Sequence, residues 1–173
     1  MHKITLIIKT DLSTDGRVLN QISILNNRFP DIKIEIILLP DKPIKQKDFP
    51  NITIRTVNCY IRNIPILRPF AVLEWTIRAF FILLKSKPFV LHTHDSAAVP
   101  PALLYKLLKG RKVFTIYDDH ELPNANEPIF FKLYGYMERT LHNLSDWVLV
   151  ANNERKNYLI HKYRSQKKID YFL

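Results

Sequence analysis

Short apolar runs alternate with longer stretches of helical period along most of this chain. The runs at 3–9, 32–39, 52–57, 90–93, 112–117, 147–151 and 169–173 are rich in Ile, Leu and Val and alternate little with polar residues. Strands buried on both faces of a parallel sheet have that composition. Between them, 70–85, 97–109, 129–144 and 153–162 repeat apolar residues at helical spacing. One more helix follows the polar stretch 10–15, where Thr14 or Asp15 can cap it, and it carries Val18, Ile22 and Leu25 on one face. Gly110 ends the helix before it as a C-cap, and Asn152 or Asn153 can cap the last helix. The stretch 40–50 is a loop punctuated by Pro40, Pro43 and Pro50, while 62–69 reads as irregular because Pro65 and Pro69 restrict a helix start. The alternation predicts an α/β fold: a Rossmann-like, doubly wound parallel sheet in three layers, α/β/α, as one domain over 1–173.

Two of the apolar runs close on polar clusters. The first ends in His92, Thr93, His94 and Asp95, the second in Asp118, Asp119, His120 and Glu121. A strand, helix and strand in succession give two neighbouring parallel strands. Both clusters then stand at carboxyl ends of adjacent strands, the edge where open α/β sheets bind ligands.

Composition narrows the chemistry. Only three glycines are present, Gly16, Gly110 and Gly135, so neither a G-x-G-x-x-G dinucleotide fingerprint nor a P-loop follows the first strand. The single cysteine, Cys59, allows no internal disulfide and fits a reducing compartment such as the cytoplasm. No apolar stretch reaches the roughly 18 residues of a spanning helix, and the N-terminus lacks the pattern of a signal peptide. The net charge of +10 suits nucleic acid, anionic lipid or phosphorylated small molecules, or only a solvated basic surface. Basic blocks interleaved with aromatic residues, as RNA-binding sheets carry them, are missing, which argues against nucleic acid.

The clusters admit more than one chemistry. His92 and His94 lie two apart on an extended segment and can point the same way. With Asp95, Asp118, Asp119 and His120 they have the donor types of a metal site, which makes a metal-dependent hydrolase one alternative. A buried structural role for His92, and capping or solvated loop charge for Asp118, Asp119 and Glu121, are the plainer alternatives. His142 and His161 read as structural or surface histidines. His120 stands among three carboxylates that would raise its proton affinity. The helix at 70–85 carries Phe70, Trp75, Phe80 and Phe81 with Arg78 and Lys85, and is flanked by Arg68 and Lys87. It reads either as a core helix or as an interfacial one on anionic lipid.

Four segments, in order and spacing, resemble the N-terminal half of GT-B glycosyltransferases of the large retaining family 4. These are Thr14-Asp15-Gly16-Arg17-Val18-Leu19, Val90-Leu91-His92-Thr93-His94-Asp95, Ile116-Tyr117-Asp118-Asp119-His120-Glu121-Leu122, and Trp147-Val148-Leu149-Val150-Ala151-Asn152-Asn153-Glu154. The resemblance implies one half of a two-domain enzyme that moves a sugar from a nucleotide donor to a saccharide or lipid-linked acceptor in cell-envelope polysaccharide or glycan synthesis. It implies His120 as the catalytic residue at the transferred sugar. Asp15, Gly16, Arg17, His94, Asp95, Asp118, Asp119 and Glu121 would bind substrate. No metal and no cofactor beyond the nucleotide-sugar co-substrate is implied. The donor-binding half would lie beyond Leu173, in cis or in trans, so that this chain alone would be incomplete: a truncation, a split subunit or a remnant. Many relatives carry two adjacent glycines in the first loop where this chain has Gly16 alone. The expected location is cytoplasmic, peripheral at the inner face of the cell membrane. A non-catalytic subunit that docks a separate catalytic half at a membrane is the remaining alternative.

Overall fold

The computed structural model describes residues 3–9, 12, 15–39, 52–119, 129–163 and 169–171. Seven parallel strands form one sheet: β1 (Lys3–Ile8), β2 (Lys33–Leu38), β3 (Ile52–Thr56), β4 (Val90–His94), β5 (Phe114–Asp119), β6 (Trp147–Val150) and β7 (Ile169–Tyr171). Their order is β3-β2-β1-β4-β5-β6-β7. The connecting helices are α1 (Gly16–Arg28), α2 (Ala71–Ser86), α3 (Val99–Lys109), α4 (Ile129–Leu144) and α5 (Asn153–Tyr163). The expected fold class is therefore the observed one.

Side-chain alternation along the strands divides the core in two. Leu6 and Ile8 of β1, with Ile34, Ile36 and Leu38 of β2, face α1 and pack on Val18 and Ile22. Ile7, Ile37, Leu91, Tyr117, Val148 and Val150 face the other way, against Trp75 and Leu83 of α2, Ala102 of α3, Leu141 of α4 and Leu159 of α5. Among the described residues, one helix thus covers one face and four cover the other. Asp15 caps α1 by accepting from Val18 N at 3.2 Å, and Asn152 caps α5 by accepting from Arg155 N at 2.8 Å. Each such cap is worth about 1 kcal/mol. Gly110 ends α3 at φ 57°, which a glycine reaches without a Cβ clash.

Two expectations need correction. The stretch 62–69 is not irregular: 3₁₀ turns run over Ile61–Asn63 and Pro65–Phe70 and lead straight into α2. Pro65 stands at the first position of its turn, where a missing N–H costs nothing. The fifth strand runs two residues later than expected at both ends. A 3₁₀ turn over Gly110–Lys112 follows α3, and Asp118 and Asp119 are ladder residues paired with Leu149 and Val150 of β6. Carboxylates are poor strand formers, so the pattern alone ends the strand at Tyr117. Their burial, 0% and 1% exposed, also overturns the alternative of solvated loop charges for these two residues.

Candidate functional site

The strand order reverses between β1 and β4, because the chain steps outward from β1 to β2 and β3 and then returns to the far side of β1. That reversal opens a crevice at the carboxyl ends of the two strands. The start of α1 and the end of β4 meet there. Arg17 lies between the carboxylates of Asp15 at 3.6 Å and Asp95 at 3.7 Å, and is itself 46% exposed. Gly16 is exposed, and a Cβ there would meet nothing within 4 Å. Two of the sequence clusters are thereby one site.

The register places His92 beside Leu6 of β1 and Ile116 of β5, and His94 beside Asp118. Both imidazoles and the Asp118 carboxylate therefore share the α1 face of the sheet. The ring centroids are 4.1 Å apart. Asp118 Oδ2 lies 3.3 Å from His94 Nδ1 and 3.7 Å from His92 Nε2, and it accepts a hydrogen bond from Gln21 Nε2 of α1 at 3.1 Å. All three site residues are buried. Burial, reinforced by the neighbouring His92, pushes the His94 pKa down to about 4, and the opposing pull of Asp118 does not restore it. His94 is neutral at neutral pH. With Nδ1 turned to the carboxylate, its proton belongs there, and Nε2 is left as a lone-pair acceptor. That Nε2 and the Nε2 of His92 have no hydrogen-bond partner among the described residues.

Asp95 follows at φ 58°, ψ 166°, a region that essentially only glycine occupies. Its N–H donates to the carbonyl of Asp118 at 3.0 Å, and its own carbonyl accepts from Ala98 N at 3.3 Å. The strained turn thus ties β4 to β5 and leads into α3.

The remaining candidates separate. Asp119 faces the opposite side of the sheet and is held by Arg155 of α5 in a buried ion pair. His120 and Glu121 lie outside the described residues, as does Thr14. Of the six side chains weighed for a metal site, the described ones sort into three groups. Asp95 goes to Arg17, Asp119 to Arg155, and His92, His94 and Asp118 stay together with donor atoms within 4.8 Å of one another. Tetrahedral donors at about 2.0–2.1 Å from an ion stand about 3.3 Å apart, so this trio has spacing that a small cation could bridge. His142, wholly buried, stacks edge-on against Tyr163, and His161 is exposed. Both have the plain roles expected of them.

Two residues of this neighbourhood were not legible. Gln21 reaches Asp118 from α1, and its only signal was the Arg17 and Gln21 spacing of four, which sets both on one helix face. Arg155 looked like one more surface cation, yet it is 4% exposed.

No family model matches this chain, and no curated protein matches it. Solved structures do. Sucrose-phosphate synthase from Thermosynechococcus elongatus superposes with a TM-score of 0.65 at 12% identity, over 98% of this chain and 47% of that one. The lipopolysaccharide outer core galactosyltransferase WaaB gives 0.68 at 15% identity, over 96% and 44%. A UDP-N-acetylglucosamine 2-epimerase gives 0.68 at 11% identity, over 97% and 47%. The chain has the fold of one half of a GT-B protein. It spans about half the length of these three structures, and at such identities the shared property is the fold. In this GT-B half, the switch-point crevice lies where β1 and β4 part, with Asp15, Arg17 and Asp95 on its lip.

Proposed function

We propose that this chain is the acceptor-side half of a retaining glycosyltransferase of family 4, of hexosyltransferase type. The observation that carries the proposal is the meeting of Arg17, Asp95 and the His94–Asp118 pair at the reversal of the sheet. Sugar hydroxyls are recognised by carboxylates and neutral imidazoles that can accept and donate, and those are the groups assembled at this edge. In this proposal Asp15, Gly16 and Arg17 lie toward the donor phosphates. His94, Asp95, Asp118, Asp119 and Glu121 belong to the acceptor side, with Asp119 acting through its ion pair rather than by touching sugar. His120, the next residue after the last of β5, is the catalytic residue.

The nucleotide sugar is held mainly by a second half, in cis or in trans. Its donors stabilise the charge that develops on the leaving diphosphate. The acceptor is a saccharide or a lipid-linked sugar of cell-envelope polysaccharide, met in the cytoplasm at the inner face of the cell membrane. The test is transfer of labelled sugar from a panel of nucleotide sugars to membrane-derived acceptors, by the product of the whole reading frame. His120→Ala should lower turnover by at least about a hundredfold, as loss of a general acid–base or electrostatic group does. Unchanged turnover would remove His120 from the reaction.

The His92, His94 and Asp118 trio favours one second reading, a metal-dependent hydrolase. Elemental analysis of the purified protein decides between them. Stoichiometric zinc or manganese that His94→Ala abolishes supports the hydrolase, and its lack together with sugar transfer supports the transferase.

A further inference from the structure

The helix layer opposite α1 has an outer side that is exposed among the described residues. Helices α2 and α3 pack side by side, and α3 packs on α4. The inward residues of α2, among them Trp75, Ala79 and Leu83, are fully buried, so the interfacial reading fails for Trp75, whose Nε1 donates to Ala97 O at 3.1 Å. The outward residues are apolar as well. Leu73, Ile77 and Phe81 of α2 are 57%, 45% and 55% exposed, and Leu107 and Leu108 of α3 are each 60% exposed. Ile66, in the turn ahead of α2, is 84% exposed. Scattered exposed apolar residues are ordinary, but Leu73, Ile77 and Phe81 recur at intervals of four along one face of α2, and the adjacent α3 exposes two more, which marks a surface for a partner or a membrane.

The charge around that surface selects the occupant. Lys85 at the end of α2, Arg111 and Lys112 after α3, and Arg139 of α4 are exposed. The described side chains of the three helices include two carboxylates, and both are consumed internally. Glu74 accepts from the backbone of Tyr60 and Ile61 and pairs with Arg78, and Glu138 accepts from the hydroxyls of Tyr117 and Tyr163. An apolar field rimmed by cations, with no carboxylate left to repel an anion, is complementary to anionic headgroups over acyl chains. A second copy of this chain would bring a like rim and a net charge of +10 against it. No helix among the described residues is long and apolar enough to cross a membrane, so the mode is lateral docking.

We infer that the outer face of α2 and α3, with Ile66 ahead of it, docks on an anionic lipid bilayer. The inference rests on the peripheral location proposed above and not on the transfer chemistry. It names the surface, and it turns the helix layer rather than the crevice toward the membrane.

The experiment is flotation of the full chain with two vesicle types: phosphatidylcholine alone, and phosphatidylcholine with about one third phosphatidylglycerol. Binding to the anionic vesicles alone is expected, weakening with salt. Leu73→Glu with Leu107→Glu should lower the partition coefficient by more than about tenfold, and Lys85→Glu with Arg111→Glu by about fivefold or more per site. Circular dichroism of each variant should be unchanged, because every altered side chain is exposed. No binding to anionic vesicles, or binding that both double variants retain, overturns the inference. So does a dimer in light scattering that Leu73→Glu with Leu107→Glu dissociates, since the occupant is then a second copy. Vesicle binding without transfer activity, or transfer to a soluble acceptor without vesicle binding, separates this inference from the transferase proposal.

Discussion

Two buried carboxylates of one sheet, with β1 and β4 between their strands, are held in opposite ways. Glu35 of β2, 2% exposed, is surrounded by groups that favour its charge. Thr5 and Ser86 donate hydroxyls, Arg55 forms a hydrogen-bonded ion pair, and Lys3 lies at 3.4 Å. Burial alone would raise its pKa, yet the bonds from Ser86 and Arg55 outweigh it and the pKa is lowered. Asp118 of β5 meets Gln21 and two imidazoles instead, one of them held neutral, and Nε2 of each ring lacks a hydrogen-bond partner among the described residues. A carboxylate satisfied by hydroxyls and cations is finished as a structural element. One set against a neutral imidazole with a spare lone pair leaves chemistry to be completed by something that enters.

The difference is sharpest in a pair of substitutions. Asp118→Asn keeps the shape but removes the charge that sets the His94 tautomer. Turnover of the complete enzyme is expected to fall by two or more orders of magnitude, with a pH profile that changes, while the unfolding free energy from urea titration moves by less than about 1 kcal/mol. A stability loss that accounts for the whole activity loss would make Asp118 another Glu35.

The next effect in size is on stability against pH. A folded His94 pKa of about 4, against 6.5, means that the unfolded chain binds the extra proton first. Its contribution is complete above pH 6.5 and is lost as the pH falls toward 4, on the order of 3 kcal/mol in all. Urea unfolding of His94→Gln should lack that slope between pH 6.5 and 4, whereas Glu35→Gln should keep it.

Glu35→Gln should itself cost about 2 kcal/mol at neutral pH without changing turnover. That is below the usual penalty for breaking a buried pair, because Lys3 and Arg55 reach water. Smallest is Arg17→Ala. Its contacts are long and half-exposed, so less than about 0.5 kcal/mol of stability is expected. A raised KM for the nucleotide sugar at constant kcat would place it in the binding machinery, and unaltered kinetics would leave it a surface cation.

Much of this was legible because parallel strands announce themselves. Runs such as Leu6 to Ile8 are apolar on both faces, and each helix between them carries a single stripe, so a doubly wound parallel sheet followed from the alternation alone. The convergence of Asp15 and Arg17 with Asp95 was not legible, because it needs β4 set beside β1, and the reversal that does so shows only in the strand order. The inside of β5 escaped as well. Asp118 and Asp119 look like a loop, and only the partners that stabilise them, Gln21 from one face and Arg155 from the other, permit them in a ladder. Those partners are 97 and 36 residues away in the chain, beyond any local pattern.

The turn at Asp95 has a consequence for engineering. A glycine there would relax a conformation that holds about 1–3 kcal/mol of strain in any other residue. Stabilising the scaffold by that route would delete the carboxylate facing Arg17, so durability and the recognition proposed for Asp95 pull this one position in opposite directions.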